Sequence, residues 1–267
     1  MKVLSYEFEG KKEVKIAHFS DIHYSYKYKI SKFNKIINFL KENKPNYICI
    51  TGDLIDNIEV GENEVLMRTL YQFLTDLGKI AKVIISLGNH DIRQYKDKKN
   101  NKWYLSLKKI NNIILLDNEV FVENDLCFYG YTAKEEYYHQ EKKNLKQLVE
   151  GLKKVRFLKQ DYNILLIHSP INLDDKLLYE GIKDFDLVLA GHTHNGLMPH
   201  FIKGNFGLFA PDHHFWLKNA RNSFQNKDIP VVISGGLTKL SYGTGLLHFF
   251  DKFYKSDLNY IRVKYIK

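Results

Sequence analysis

Three short β-rich apolar runs, Val14–Phe19, Tyr47–Thr51 and residues 82–87, are separated by two stretches of helical period. In Ser31–Asn43 the apolar residues Phe33, Ile36, Ile37 and Leu40 recur at helical spacing, with Ser31 placed to cap the first turn. Residues 65–77 repeat that period. Strand, helix, strand, helix, strand predicts parallel strands joined by crossover helices. In sheets of that kind a ligand crevice lies beyond the carboxyl ends of the strands.

The remainder of the chain is richer in strands. Ile113–Leu116, residues 120–123 and Leu126–Tyr131 read as successive short strands, followed by a polar helical stretch over 141–154. Residues 163–167 and Leu187–Ala190 read as buried strands. Residues 231–234, 245–250 and 259–265 are strand-like, with Gly-rich turns and little helix between them, and predict a second, more antiparallel sheet. The fold class expected is α/β: a four-layer α/β/β/α sandwich of two mixed sheets flanked by helices. A chain of 267 residues fits one large domain or two small ones. The absence of an internal repeat, a Pro-rich linker or a low-complexity tract favours a single domain over 1–267.

Composition excludes several classes. Hydrophobic residues at 44% are enough for a sizeable core, so a disordered chain is not expected. The two cysteines, Cys49 and Cys127, sit inside apolar runs and read as buried free thiols, which suits a reducing cytosol. The N-terminal residues lack the apolar segment of a signal peptide, and no uncharged stretch is long enough for a transmembrane helix. A cytoplasmic protein is expected, with peripheral contact at the inner membrane surface left open. The net charge of +9, from 40 Lys+Arg against 31 Asp+Glu, favours anionic partners: phosphorylated substrates, acidic lipid or nucleic acid. Nucleic acid is not favoured, because no window carries a dedicated binding motif and the lysine-rich run 96–102 reads as a solvated loop.

Five polar blocks fall at the ends of the apolar runs: Asp21-Ile22-His23, Gly52-Asp53, Gly88-Asn89-His90-Asp91, His168 and Gly191-His192-Thr193-His194. Separately each has an ordinary reading, as a loop cap, a turn or a satisfied structural histidine. Together they supply carboxylates, an amide and imidazoles in numbers sufficient for two adjacent metal ions. Two-metal hydrolysis needs a bridging carboxylate, flanking ligands for each ion and an open edge for substrate and water. This donor set suits Mn, Fe or Zn over Mg or Ca alone. In Asp21-x-His23 the alternation of a strand would place both side chains on one face. Gly52, Gly88 and Gly191 each precede a ligand and allow tight turns near the ions.

The ordered set D-x-H, G-D, G-N-H-D, H and G-H-x-H resembles the calcineurin-like metallophosphoesterase superfamily, from about Val14 to about Phe250. The resemblance implies two divalent metal ions, Mn foremost, with Fe, Zn, Co or Mg as alternatives. It implies Asp21, His23 and His194 as ligands of the first metal and Asp53 as the bridge. It implies Asn89, His168 and His192 as ligands of the second. His90 resembles the family's non-ligand histidine, which faces the substrate phosphate and protonates the leaving oxygen. Asp91 would hydrogen-bond His90 and fix its tautomer. Asp56 reads as a turn residue. His139, His200, His213, His214 and His248 match no block, although His213, His214 and Trp216 could line a substrate cleft.

Longer segments narrow the resemblance. Ile164-Leu-Leu-Ile-His-Ser-Pro170, Asp186-Leu-Val-Leu-Ala-Gly-His-Thr-His194, Ser234-Gly-Gly-Leu and Gly243-Thr-Gly-Leu-Leu247 resemble a bacterial branch of membrane-associated phosphoesterases and UDP-2,3-diacylglucosamine pyrophosphatase-like enzymes. Asn195-Gly196-Leu197 stands where that branch carries Gly-Gly-Gln, and His248-Phe249-Phe250 with Asp251-Lys252 stand where it carries an Arg and Pro-Pro-Glu. The expected activity is hydrolysis of a phosphate ester, with a phosphodiester or pyrophosphate-linked substrate preferred. The alternatives are a nuclease of the same fold and a non-catalytic metal-bearing scaffold.

Overall fold

The structure is a computed structural model, described over residues 1–93, 101–138, 149–152, 160–170, 176–199, 201–209, 216–238 and 255–266. The first sheet holds β1 (Lys2–Gly10), β2 (Val14–Phe19), β3 (Tyr47–Thr51), β4 (Lys82–Ser86), β5 (Ile113–Leu116) and β12 (Asp257–Tyr265), in the order β1-β12-β2-β3-β4-β5. The second holds β6 (Glu119–Glu123), β7 (Leu126–Tyr131), β8 (Tyr162–Ile167), β9 (Leu187–Ala190), β10 (Asn222–Asn226) and β11 (Ile229–Ile233), in the order β10-β11-β9-β8-β7-β6.

The strands β2 to β5 run parallel, as the alternation with helices predicts. The helices between them are α1 (Ser31–Asn43), α2 (Ile58–Glu62), α3 (Glu64–Gly78), α4 (Asn89–Arg93) and α5 (Lys102–Leu107). Helix α1 spans the residues expected, but Ser31 lies inside it; Ile30 holds the cap position and makes no side-chain cap bond. Helix α3 is capped instead by the Asn63 side chain, which accepts from Val65 and Leu66 N–H.

Two expectations need correction. The second sheet is parallel through β7, β8, β9 and β11, with only its edges β6 and β10 antiparallel. Residues 259–265 do not join it. They lie in β12, wedged into the first sheet antiparallel to β2 and parallel to β1. A C-terminal strand carries no local mark of which sheet it completes, because edge and centre positions are settled by tertiary partners. Of the expected helix 141–154, residues 149–152 are described and helical, and the expected strand 245–250 lies outside the described residues.

Three apolar layers hold the sandwich. Phe33, Leu40, Phe73 and Leu77 pack α1 and α3 on the outer face of the first sheet, with the Phe33 and Phe73 rings stacked at 3.8 Å. Leu152, with Leu178 and Ile182 of α6 (Lys176–Ile182), covers the outer face of the second. Between the sheets lie Ile16, Cys49, Ile84, Phe128, Ile164 and Leu189. Each such side chain contributes about 1.5–3 kcal/mol by leaving water. Both cysteines are buried free thiols, as expected, and burial pushes both upward, Cys127 to about 11.

The inter-sheet layer changes character at one end. Val14 and Ile16 of β2 face it, and the next inward position is His18; on β3, Tyr47 and Cys49 are followed by Thr51. On β8 the same alternation leads from Ile164 and Leu166 to His168. These polar residues are fully buried and form a floor beneath the loops at the carboxyl ends of the strands.

Candidate metal centre

The loops that leave β2, β3, β4, β8 and β9 converge above that floor. Asp21 N–H donates to the Gly52 carbonyl at 3.0 Å, His23 N–H to that of Asp53 at 3.0 Å, and Gly191 N–H to that of His168 at 2.8 Å. The approach is so close that a Cβ on Gly88 would fall on the Asp53 carboxylate, and one on Gly52, whose φ is +83°, would fall on the Gly88 backbone. Asp21, His23, Asp53, His192 and His194 have φ between 41° and 68°, in the left-handed region. Asp21 and His23 are therefore aimed by loop backbone and not by strand alternation, which ends at Phe19. His192 and His194 are aimed by a tight turn, in which Thr193 N–H donates to the Gly191 carbonyl at 2.8 Å. Such conformations cost about 1–3 kcal/mol each and cluster at functional sites.

These loops bring the expected side chains together. Asp21, His23 and His194 form one compact group of donor atoms, and Asp53, His168 and His192 form another. His194 Nε2 lies 3.4 Å and His23 Nε2 3.7 Å from Asp21 Oδ1. His168 Nε2 lies 3.2 Å and His23 Nε2 3.5 Å from Asp53 Oδ2, so Asp53 stands between the two groups. Asn89 is buried at the start of α4. His90 N–H donates to Asp53 Oδ1 at 2.9 Å, and the His90 ring meets that of His23 edge-on at 4.6 Å.

Main-chain carbonyls fix the imidazoles. A carbonyl can only accept, so each nitrogen facing one carries the proton. His168 Nδ1–H donates to Thr51 O at 2.6 Å, His194 Nδ1–H to Thr238 O at 3.3 Å and His90 Nδ1–H to Asp56 O at 2.6 Å. The Nε2 atoms of His168 and His194 are left to face the carboxylates. Orientation of this kind sets the tautomer of metal-ligating histidines.

Asp91 is placed differently from the expectation. Its carboxylate accepts from Leu54 N–H at 2.9 Å and Gly88 N–H at 3.0 Å, and the His90 ring is held by Asp56 instead. Asp91 is fully buried and ties the β3 and β4 loops together. Burial and the neighbouring Asp53 push it up to about 7.

The electrostatics favour positive charge. Burial would raise Asp21 and Asp53, yet His194 beside Asp21 and His168 beside Asp53 hold both below the ordinary carboxylate range. Burial would lower His23, but Asp21, Asp56 and Asp53 push it up to about 10; Asp53 likewise pushes His168 up to about 9. His194 is the exception, pushed down to about 4 chiefly by burial.

Comparison with known proteins fits this geometry. Residues 14–196 match the family model described as calcineurin-like phosphoesterase. The chain belongs to the calcineurin-like phosphoesterase family. An uncharacterized metallophosphoesterase of Campylobacter jejuni is 31% identical over 193 residues, which cover 70% of this chain and 45% of that protein. One of Aquifex aeolicus is 29% identical over 207 residues, covering 74% of this chain and 71% of that protein. The solved structure of a dimetal phosphatase from Danio rerio is similar with a TM-score of 0.49 at 10% identity, covering 85% of this chain and 88% of that chain. This calcineurin-like phosphoesterase chain therefore spans under half the length of the Campylobacter relative.

The family implies a divalent dimetal site, and the donor set fits one. Asp21 Oδ1, His23 Nε2 and Asn89 Oδ1 are buried without a hydrogen-bond partner. Leaving such an atom unsatisfied costs about 1–3 kcal/mol, more for a charged group, so these atoms are suited to a cation. Sequence reasoning missed three contributors. Asp56 uses its carbonyl on His90 and sets its carboxylate 3.6 Å from His23 Nδ1. Thr51 holds His168, and the buried Tyr138 ring packs against His192 at 5.3 Å. Asp56 alone had a signal, its place three residues after the bridging position. His139, His200, His213, His214 and His248 lie outside the described residues.

Proposed function

We propose that this chain is a metal-dependent phosphoric ester hydrolase with a dinuclear centre. Asp21, His23 and His194 would hold the first ion, Asn89, His168 and His192 the second, and Asp53, which stands between the two groups, would serve both. The observation that carries the reading is the set of buried, unpartnered donor atoms on Asp21, His23 and Asn89. Two bound divalent cations supply Lewis acidity toward the phosphoryl group and activation of water. The donor mixture supports Mn, with Fe, Zn, Co and Mg as the alternatives.

His90 is the proton carrier in this reading. With Nδ1–H committed to the Asp56 carbonyl, Nε2 is the nitrogen left to take up a proton and pass it to the leaving oxygen. The neutral amide of Asn89 limits negative charge, which would otherwise repel a phosphate. The net charge of +9 supports an anionic substrate, and a phosphodiester or pyrophosphate-linked compound is the class proposed. The inter-sheet layer shared by both sheets supports reading 1–267 as one domain. Two free thiols support a cytoplasmic location, and among the described residues no helix is long and apolar enough to cross a membrane.

The test is to strip the protein of metal and assay bis-p-nitrophenyl phosphate and p-nitrophenyl phosphate with each divalent ion restored. Metal-dependent turnover that prefers the diester is expected. Asp53→Ala should abolish it, and His90→Ala should lower kcat by about 100-fold or more. Unchanged turnover in both variants would overturn the assignment.

A further inference from the structure

The turn that carries His194 also anchors residues 207–208, which pair with Trp216 and Leu217. Gly196 O accepts from Leu208 N–H at 2.7 Å, Gly207 N–H donates to Leu217 O at 2.8 Å, and Trp216 N–H donates to Leu208 O at 3.0 Å. Gly196 and Gly207 approach so closely that a Cβ on either would strike the backbone of the other. The segment leading to residue 207 is stapled by buried Arg221, which donates to the carbonyls of Pro199, Ile202 and Gly204.

This anchored segment presents apolar side chains to water. Phe201 is 62% exposed and Trp216 71%, and Ile202, Phe206 and Leu208 are exposed as well. Trp216 is held at φ 65°, a conformation that bulky side chains rarely adopt. A concentration of exposed large apolar residues on a rigid support marks an interaction surface. Its charge points to the partner. Lys2, Lys203 and Lys255 line an adjoining cavity of about 220 Å³ together with Ile202 and Asn195. Among the described residues the one carboxylate there, Asp257, is buried and committed to Asn195 Nδ2 and Gly235 N–H. Apolar side chains bordered by lysines suit a bilayer, where the former enter the acyl boundary and the latter meet anionic headgroups.

We infer that the segment 201–208 with Trp216 and Lys203, Lys255 and Lys2 docks the protein on an anionic lipid surface, beside the His194 turn. Lipid binding is read without turnover, so it stands or falls separately from the hydrolytic assignment.

The chain carries its own reporter. Of its two tryptophans Trp103 is buried and Trp216 exposed. Vesicles of phosphatidylcholine with phosphatidylglycerol should blue-shift the protein's emission and sediment it; phosphatidylcholine alone should do so weakly. Trp216→Phe should abolish the shift and retain sedimentation. Lys203→Glu with Lys255→Glu should lower partitioning by about ten-fold or more, with turnover of a soluble ester unchanged. Phe206→Ser with Leu208→Ser should lower it independently of salt. Absence of both shift and sedimentation on anionic vesicles would overturn the inference. So would equal, salt-insensitive binding to neutral vesicles, or the same shift from inorganic phosphate alone.

Discussion

His168 Nδ1–H donates to the main-chain carbonyl of Thr51 at 2.6 Å, across from the second sheet to the first. The Thr51 hydroxyl in turn meets His18 Nε2 at 3.0 Å, and Asn259 Nδ2 lies 3.2 Å from His18 Nδ1. Because the amide donates to Nδ1, the His18 proton sits on Nε2 and faces Thr51. Burial pushes His18 down to about 3, so it stays neutral. His18→Leu would strand Thr51 Oγ1 and weaken the hold of the Thr51 carbonyl on the His168 ring. The expected outcome is a loss of stability on the order of 3 kcal/mol and about ten-fold weaker binding of one of two metal ions. Chelator competition with Co(II) as the spectroscopic probe reads the second effect apart from the first.

Asp56 acts through two different atoms, and one substitution separates them. Asp56→Asn removes the carboxylate near His23 Nδ1 but keeps the carbonyl that holds His90. Metal affinity should fall about ten-fold, while kcat at saturating metal stays within a few-fold of the parent. A large fall in kcat at saturating metal would place the carboxylate on the proton-transfer path instead.

Much of this was legible in the sequence, and the limits have physical causes. The parallel β2 to β5 order follows from alternating periods, and all the polar blocks lie at strand ends because loops there carry them. The residues that the loops bring together were legible through residue type and order. Their left-handed backbone was not, since strand alternation was assumed to continue past Phe19. Asp91 was misread because adjacency to His90 in sequence says nothing about direction; one residue further along a helix turns the side chain by about 100°. Thr51 and Asp56 hold the His168 and His90 rings through main-chain carbonyls, which every residue possesses, so residue type does not announce those two contacts. β12 was assigned to the wrong sheet because its partners, β1 and β2, lie at the opposite end of the chain.

Gly88→Ala tests the closeness of the β3 and β4 loops. Its added methyl would meet the Asp53 carboxylate and the Asp53 N–H, the latter backbone that cannot swing aside. Overpacking of this kind costs about 1–3 kcal/mol. The expected outcome is a fall in Tm together with a loss of metal binding, because relief of the clash moves Asp53, the bridge in the proposed centre. A normal metal load at a lowered Tm would mean that the loops relax without moving Asp53.

Asp257 gives a pH dependence centred on burial, to which the nearby Asp21 carboxylate adds. Burial pushes its carboxyl up from 3.8 to about 6, although Asn195 and Gly235 donate to it. Between those pH values the folded protein holds a proton that the unfolded chain has lost. Its contribution to stability therefore declines as pH rises from about 4 to about 6 and is level above that. The whole decline is on the order of 3 kcal/mol, at about 1.4 kcal/mol for each pKa unit. Asp257→Asn carries no charge and keeps an acceptor for Gly235 N–H, while the Asn195 amide can turn over to accept from the new Nδ2. The variant should gain stability relative to the parent as pH rises through the window and hold that gain above about 6. Urea denaturation of both proteins in metal-free buffer across that range measures the difference, from which the titrations of groups that do not interact with Asp257 cancel. Parallel curves would show that Asp257 is ionised in the folded state well below about 6, stabilised by the donors of Asn195 and Gly235 more strongly than burial opposes it.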